Sequence, residues 1–600
     1  MSSSSSNVFQ YGPLPKAGFI RLLSFEDDDD TINNAKPQNP RCQLQNHDLH
    51  GGQGSYIALS YVWGSDARDC AITCNGATMA ITTSAFEAIE ALRKYAPQAL
   101  LWIDGVCINQ DNDTEKASQV SQMAEIYSFA RRVAVWLGSE ANDSDRALEA
   151  FDRLAEALPK LPWRVDLDDY YSHDGFPDRS HPMWAALGHL YVRPWFHRLW
   201  TFQEVVLARS LFVACGKQIV TWEKFLEVSE QLHRLGLGRI FSRGNSTSRN
   251  YTALGAILDM EKERKRYREW GFLTTYDVIT FAVQKMCKLP IDRIYAMRSL
   301  SPEHMRRDVA VDYTLTASQA YVMYGKACLK GPRGLEYLSL VCHGWDMPSR
   351  ALPSWCVDLG QRPPFEPLTP MFRAGTQAED NVNDCYSEVF LGPSIDYIRV
   401  RGFMVDRVAA IVRCEFSWEA ATSEERLMVM RNISRWNTEC EELCTDMKDD
   451  VDALWPHICA VTLNIASDSD PNIVKQAYKD VLQNVKSRLE TDDQDMWEPP
   501  ADRLSPFKEC ADRMKWACES RAYFRTEKGR VGVGAQSAQP GDNVVVFYGA
   551  SPVFILREVA DSGVAEENFL LVGDAFVHGL MDLKDTRNGE VGETRMFKIV

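Results

Sequence analysis

The chain has 600 residues, more than one hydrophobic core usually fills, so two or three domains are expected. Acidic side chains outnumber basic ones by 83 to 66, the net charge is −17, and no long basic stripe occurs; nucleic acid and anionic membrane are therefore not expected as partners. Nor is there a run of about 18 apolar residues or a basic start leading into an apolar stretch, so neither a membrane span nor a secretory signal is expected, and the protein reads as cytoplasmic.

Residues 1–16, opening on a serine tract, read as disordered, and "EDDDDTINN" reads as an acidic loop. The first strong element is "YIALSYVWG", an almost unbroken apolar and aromatic run ending in glycine, as expected for a parallel strand buried on both faces. In "AITCNGATMAIT", Asn75-Gly76 between alternating segments signals a hairpin. A helix follows in "TSAFEAIEALRKYAP", with Thr83 or Ser84 placed to cap it and Pro97 to stop it. "ALLWID" is a second short buried strand. "DTEKASQVSQMAEIYSFAR" is an amphipathic helix with Val120, Met123, Tyr127 and Ala130 along one side, and "RVAVWLG" is a third strand. This alternation implies right-handed crossovers and a parallel sheet, whose ligand crevice lies beyond the carboxyl ends of the strands. Those ends carry "SYVWGS" and "DGVCINQDN", rich in polar and aromatic side chains.

In the helix "WFHRLWTFQEVVLA", Trp200 and Glu204 are i, i+4 neighbours on one face, and Phe202 and Val205 point elsewhere. An acid beside an aromatic wall suits a cationic ring or a sugar; the alternative is a glutamate paired with Arg198, Arg209 or another base. From about 225 to 520 the chain reads as mainly helical. "EKERKRYREW" reads as a solvated charged face, Asp292 and Arg293 as a cap or salt bridge before an apolar helix, and "TDDQDMWEPPADRLSPF" as a loop. The last eighty or so residues alternate valine- and phenylalanine-rich strands with glycine turns, and "GVGAQS" lacks the third glycine and following helix of a dinucleotide fingerprint.

Sixteen scattered cysteines read as reduced core residues. Cys440, Cys444, His457 and Cys459 come nearest to a metal set, but zinc modules use two tight pairs, so no metal is expected. His173, His181, His189 and His197 recur every eight residues, yet Pro182 and Pro194 break any helix that would align them.

In order along the chain, "YIALSYVWGS", "LWIDGVCINQDNDTEKASQVSQMAEIYSFARRVAVWLG" and "RPWFHRLWTFQEV" resemble the three signature blocks of the fungal heterokaryon incompatibility (HET) domain. The likeness extends to "FIRLLSF", "DRIYAMRSL", "LPSWCVDL" and the terminal "GDNVVVFYGASPVFILRE" and "LVGDAFVHGLM". It implies a part in fungal self/non-self recognition and programmed cell death. It also implies an α/β architecture: a parallel-sheet, TIR-like HET domain over 17–225, a mainly helical region over 226–515, and a small C-terminal β-rich segment over 516–600.

The HET domain is itself similar to the TIR domain, whose enzymatic members cleave NAD with the glutamate of a W-C-x-x-E motif. "LSY" at Leu59–Tyr61, "WID" at Trp102–Asp104 and "WTFQE" at Trp200–Glu204 follow that pattern, with Thr201 in place of the cysteine and a long insertion before the last block. The resemblance implies that Glu204 is the catalytic carboxylate. Nicotinamide leaves NAD neutral, so the second carboxylate most glycoside hydrolases need is dispensable, and a fixed anion can meet the ribosyl cation. Trp63 or Trp200 would stack on the ring, and Ser60, Tyr61, Asp104, Asn109 and Gln110 would bind ribose or phosphate edges. NAD is then substrate, and no cofactor is expected.

The structural alternatives are that Asp104 caps a turn, that Asn109 and Gln110 brace their loop, that Glu115 and Gln119 support their helix as an i, i+4 pair, and that the tryptophans are core. Two functions stand: an NAD glycohydrolase activated by self-association, or a non-catalytic signalling module that self-associates or binds another incompatibility protein.

Overall fold

A computed structural model of the protein describes residues 7–26, 39–161, 181–235, 253–331, 333–341, 352–361, 367–368, 389–391, 397–418, 423–444, 452–463, 470–491, 506–559, 567–581 and 592–600. The chain divides into two compact units. The first holds Met1–Thr274, Gln284–Pro302 and Ala310–Leu315; the second holds Thr275–Val283, Glu303–Val309 and Thr316–Val600. The acidic loop, His173 and most of the loop read at 491–507 lie outside the described residues.

The first unit is built on strands β1 (Phe19–Phe25), β2 (Arg41–Asp48), β3 (Tyr56–Ser60), β4 (Cys70–Cys74), β5 (Ala77–Ile81), β6 (Leu100–Trp102), β7 (Arg132–Trp136), β8 (Leu211–Cys215) and β9 (Gln218–Thr221). Its α-helices are α1 (Thr83–Tyr95), α2 (Asp104–Cys107), α3 (Asp113–Phe129), α4 (Ser144–Glu149), α5 (Phe151–Ala157), α6 (Pro182–Tyr191), α7 (Trp200–Leu207), α8 (Trp222–Arg234), α9 (Ala253–Trp270) and α10 (Asp292–Arg298). The sheet order is β5-β4-β2-β1-β6-β3-β7-β8-β9. Strands β6, β3, β7 and β8 run parallel, and every residue of β3 and β8 is buried, which is why these strands read as continuous apolar runs. The expected parallel sheet is the middle of a mixed one. β1 lies antiparallel to both β6 and β2, and β5 and β9 close the edges antiparallel to β4 and β8, since the hairpin links at 75–76 and 216–217 are too short for a parallel crossover.

Local chemistry accounts for the boundaries. Asn75 and Gly76 both take positive φ, 51° and 76°, the two-residue turn that joins β4 to β5. Helix α1 is capped by Thr82, whose extended backbone frees its side chain to accept from the Ala85 N–H; Thr83 already lies within the helix, and Ser84 instead donates to the Val62 carbonyl. On α3, Met123, Ile126 and Tyr127 are buried, but Gln119 takes the inward place expected for Val120, donating to the Phe19 carbonyl. Of the N-terminal stretch expected to be disordered, residues 7–11 are tied to the domain: Phe9 N–H donates to Thr78 O and Tyr11 Oη to Val106 O.

Helix α7 is buried from Thr201 to Leu207, and its end is closed by α9. Arg264 and Arg268 of α9 donate to the Ala208 and Arg209 carbonyls, and Glu261, Glu263 and Arg264 are buried, so "EKERKRYREW" is not the solvated face expected of it.

In the second unit the strands are β10 (Val389–Leu391), β11 (Ile398–Arg413), β12 (Arg521–Thr526), β13 (Val531–Ala535), β14 (Asn543–Phe547), β15 (Val553–Val559), β16 (Asn568–Val577) and β17 (Arg595–Ile599). The long β11 pairs with β14 from Gly402 to Arg407 and with β12 from Val408 onward, its register on β12 shifting between Val408 and Ala410. The circuit β11-β12-β13-β16-β15-β14 returns to β11 with every pair antiparallel, a closed barrel filled by Phe403, Phe524, Val546, Ile555 and their neighbours. Gly534 belongs to this packing: a Cβ there would lie 2.7 Å from Ile555 Cδ1, which accounts for the glycines that imitate part of a nucleotide motif.

Helices Ser423–Cys444, Trp455–Thr462, Pro471–Thr491 and Pro506–Cys518 share a core with Tyr523, Val533 and Phe576 of the barrel strands. His457 is spent within it, bonded to Tyr478 Oη at 2.9 Å and held neutral by burial, with its pKa lowered to about 3. A fully buried Arg521–Asp574 pair at 3.0 Å joins β12 to β16, with Asp574 Oδ2 also accepting from the Leu368 N–H.

Candidate active site

β3 and β6 stop side by side, Ala58 opposite Trp102, and the chain leaves both strands at the crevice expected beyond their carboxyl ends. Ser60 and Tyr61 are buried there, while Trp63 is half-buried. The Trp63 indole N–H is shared between Asp104 Oδ1 and Oδ2 at 3.0 Å each. Asp104 opens α2, and its Oδ1 also accepts from the Gly105 N–H at 2.6 Å. Gly105 is required at that turn, because a Cβ would lie 2.6 Å from Tyr61 Oη.

Arg198 joins this edge to α7. Its Nη1 donates to the Tyr61 carbonyl at 2.7 Å and lies 3.3 Å from Glu204 Oε1, while Nη2 lies 3.7 Å from Asp104 Oδ2. Glu204 is 0% exposed; the Ser60 and Tyr127 hydroxyls stand near its carboxyl group, but no donor among the described residues meets Oε2 in hydrogen-bond geometry, and the Tyr127 hydroxyl donates instead to Leu59 O. Burial is the main reason its pKa rises from the ordinary 4.5 to about 7, and the like charge of Asp104 adds to it; Arg198 and the Ser60 and Tyr127 hydroxyls pull the other way without prevailing. For Arg198 burial acts downward, but Glu204 and Asp104 outweigh it and hold the guanidinium pKa above its usual value. Ser60 Oγ also accepts from the Trp195 indole at 2.9 Å.

Of the residues singled out in the sequence, Ser60, Tyr61, Trp63, Asp104 and Glu204 converge around Arg198. Trp200 stands on the same helix as Glu204, but its N–H turns to Asp292 Oδ2 at 3.3 Å, so the two neighbours have different partners. Asn109 and Gln110 brace the loop: Asn109 Oδ1 accepts from the Asp111 N–H, and Gln110 Nε2 donates to the Asp104 carbonyl. Glu115 is not engaged with Gln119; it takes both guanidinium nitrogens of Arg21, at 2.6 and 3.0 Å, and the Asn109 N–H. Sequence reasoning missed Arg21 and Tyr313 altogether, and read Tyr127 and Trp195 only as packing residues. A lone buried arginine in the amphipathic strand "FIRLLSF" was the available signal for the first.

Residues 56–204 match the family described as Heterokaryon incompatibility protein (HET), a block that starts on the first residue of β3 and ends on Glu204. The chain carries a HET domain. Residues 474–596 match the Het-6 beta-barrel domain, which contains β12 to β16. Across most of its length the chain is similar to heterokaryon incompatibility protein 6, OR allele, of Neurospora crassa, 24% identical over 632 residues that cover 89% of this chain and 91% of that protein. No solved structure matches. The matched HET block lies within the mixed α/β sheet unit, where it takes in β3 to β7, and Arg21, Asp292 and Tyr313 lie outside it. No helix among the described residues is long and apolar enough to cross a membrane.

Proposed function

We propose that this HET protein of self/non-self recognition acts in programmed cell death by hydrolysing the nicotinamide–ribose bond of NAD in the crevice beyond β3 and β6. The observation that carries the reading is the state of Glu204: a fully buried carboxylate with one oxygen lacking a donor among the described residues, beside a guanidinium it shares with Asp104. A buried acceptor without a donor is costly, and a ribose hydroxyl supplies the missing donor.

Trp63, pinned by Asp104, offers an indole face to the cationic pyridinium ring. When the C–N bond breaks, its electron pair goes to the ring nitrogen and nicotinamide leaves neutral. Positive charge develops on the ribosyl carbon, where the Glu204 carboxylate stabilises it until water adds and gives up a proton. Arg198 must swing from Glu204 for the ribose to enter, so the arrangement described is a resting one. Only ionised Glu204 serves; burial already raises its pKa to about 7 in the resting arrangement, and withdrawal of Arg198 raises it further, so turnover rises with pH above neutrality.

The complete burial of Glu204 favours a second reading, in which the Arg198–Glu204 pair braces the core of a non-catalytic module that signals by self-association or through another incompatibility protein. Nicotinamide release by purified protein and cell death on expression, each compared with folded Glu204→Gln, separate the two. Loss of both in the variant supports hydrolysis. Death without nicotinamide release, unchanged by the substitution, supports the module.

A further inference from the structure

The geometry points to Asp292, outside the matched HET block, as a positioning residue of the Glu204 site that holds the Trp200 indole as a wall for the substrate ring; this rests on the NAD reading. Asp292 is buried, yet both its oxygens are spent on aromatic side chains: Oδ2 accepts from Trp200 Nε1 at 3.3 Å, and Oδ1 accepts from Tyr313 Oη at 3.0 Å. Burying a carboxylate only to orient an indole is expensive, since hydrophobic packing alone would bury a tryptophan more cheaply.

The segment that delivers Asp292 is itself fastened to the turn before α7. Leu199 N–H donates to Met286 O at 2.8 Å, Met286 N–H to His197 O at 2.7 Å, and Lys285 Nζ to Phe196 O at 2.6 Å. Lys288 forms an ion pair with Asp66, in the loop that follows Trp63. The same segment thus grips both aromatic walls of the crevice, Trp63 through its loop and Trp200 through Asp292. Behind Asp292, Tyr313 is backed by the Tyr295 ring at 5.2 Å, and Tyr295 Oη donates to the Asp312 carbonyl at 2.7 Å. The negative charge of Asp292 also lies close enough to Arg198 to feel it, which gives the guanidinium a second carboxylate to lean toward when it leaves Glu204.

The test uses the full chain with Asp292→Ala and Asp292→Asn, labelled with 5-fluorotryptophan; Trp200→Phe assigns the resonance of residue 200. Nicotinamide release is measured against NAD concentration. Asp292→Ala should move the Trp200 fluorine resonance and leave the others in place, which also shows that the variant folds. It should raise KM for NAD about tenfold, the effect of losing one hydrogen bond to a charged group, with kcat little changed. Asp292→Asn, which keeps an acceptor oxygen, should restore KM to within about threefold. A merely structural role would lower the yield of active protein and leave KM alone; an unchanged KM in Asp292→Ala overturns the inference. If the wild-type chain releases no nicotinamide, the NAD reading itself falls. Cell death on expression then decides: death lost in Asp292→Ala and kept in Asp292→Asn retains the positioning role, and death kept in both variants overturns it.

Discussion

Replacing Glu204 by glutamine should stabilise the protein, and by an amount that grows with pH. Glutamine has the shape of the protonated carboxyl and cannot ionise. Glu204 is fully buried and its pKa stands near 7 against an ordinary 4.5. Below 4.5 the side chain is protonated in the folded and unfolded chain alike, and its contribution to stability is fully present. Between 4.5 and 7 the unfolded chain loses the proton while the folded chain keeps it, so the contribution is progressively lost as pH rises, at about 1.4 kcal/mol per pH unit. Above 7 the loss levels off at about 3 kcal/mol. Urea midpoints of the HET-unit transition, followed for wild type and variant from pH 4.5 to 8.5, should coincide at the acid end and separate in favour of the variant until about pH 7. A constant gap, or a wild type favoured at pH 8, would show that Arg198 compensates Glu204 completely and would refute both the raised pKa and the poised carboxylate built on it.

Arg198→Ala leaves Asp104 and Glu204 without their shared cation and should cost about 3 kcal/mol at pH 8, less at pH 5.5 where Glu204 holds its proton; urea midpoints at the two pH values measure this. Gly105→Ala places a methyl against Tyr61 Oη and should lower stability by about 1–3 kcal/mol and quench turnover by displacing Asp104, read by thermal melting beside nicotinamide release. In the barrel, Asp574→Ala strands the buried Arg521 and should cost about 3–5 kcal/mol, whereas Asp574→Leu combined with Arg521→Met should come close to wild type in denaturant titration.

The elements that were legible in the sequence are those whose environment is written in their own residues. β3 from Tyr56 to Leu59 and β7 from Val133 to Trp136 are unbroken apolar runs because both sheet faces are covered, and Asn75-Gly76 states its turn because few other pairs tolerate two positive φ values. The misread elements depend on partners far away in the chain. Glu261 and Arg264 look solvated until the carbonyls ending α7 are brought against them, and Glu115 looks like half of an i, i+4 pair until β1 presents Arg21. The N-terminal cap of α1 was misplaced by one residue because threonine at 82 and threonine at 83 are chemically equal; only the extended backbone at Thr82 selects it.

The site shows the same division within a single helix. Spacing places Trp200 and Glu204 on one face of α7, but that matters only when a helix has one buried face, and α7 is buried all round from Thr201 onward. The partners are then chosen by which polar groups reach each end. Of the two arginines able to pair with Glu204, Arg209 follows the helix and is drawn away, its guanidinium to Gln53 Oε1 at 3.3 Å and over the Phe129 ring. Arg198 precedes the helix in an extended turn anchored by Met286, which turns its side chain back along α7 toward the strand ends. That turn makes the guanidinium common to Asp104 and Glu204, so one cation serves a crevice acid and a buried acid together. In the hydrolysis we propose, moving it from Glu204 toward Asp104 would free the buried carboxylate while Asp104 keeps its counter-charge, so the two acids and their one cation act as a unit.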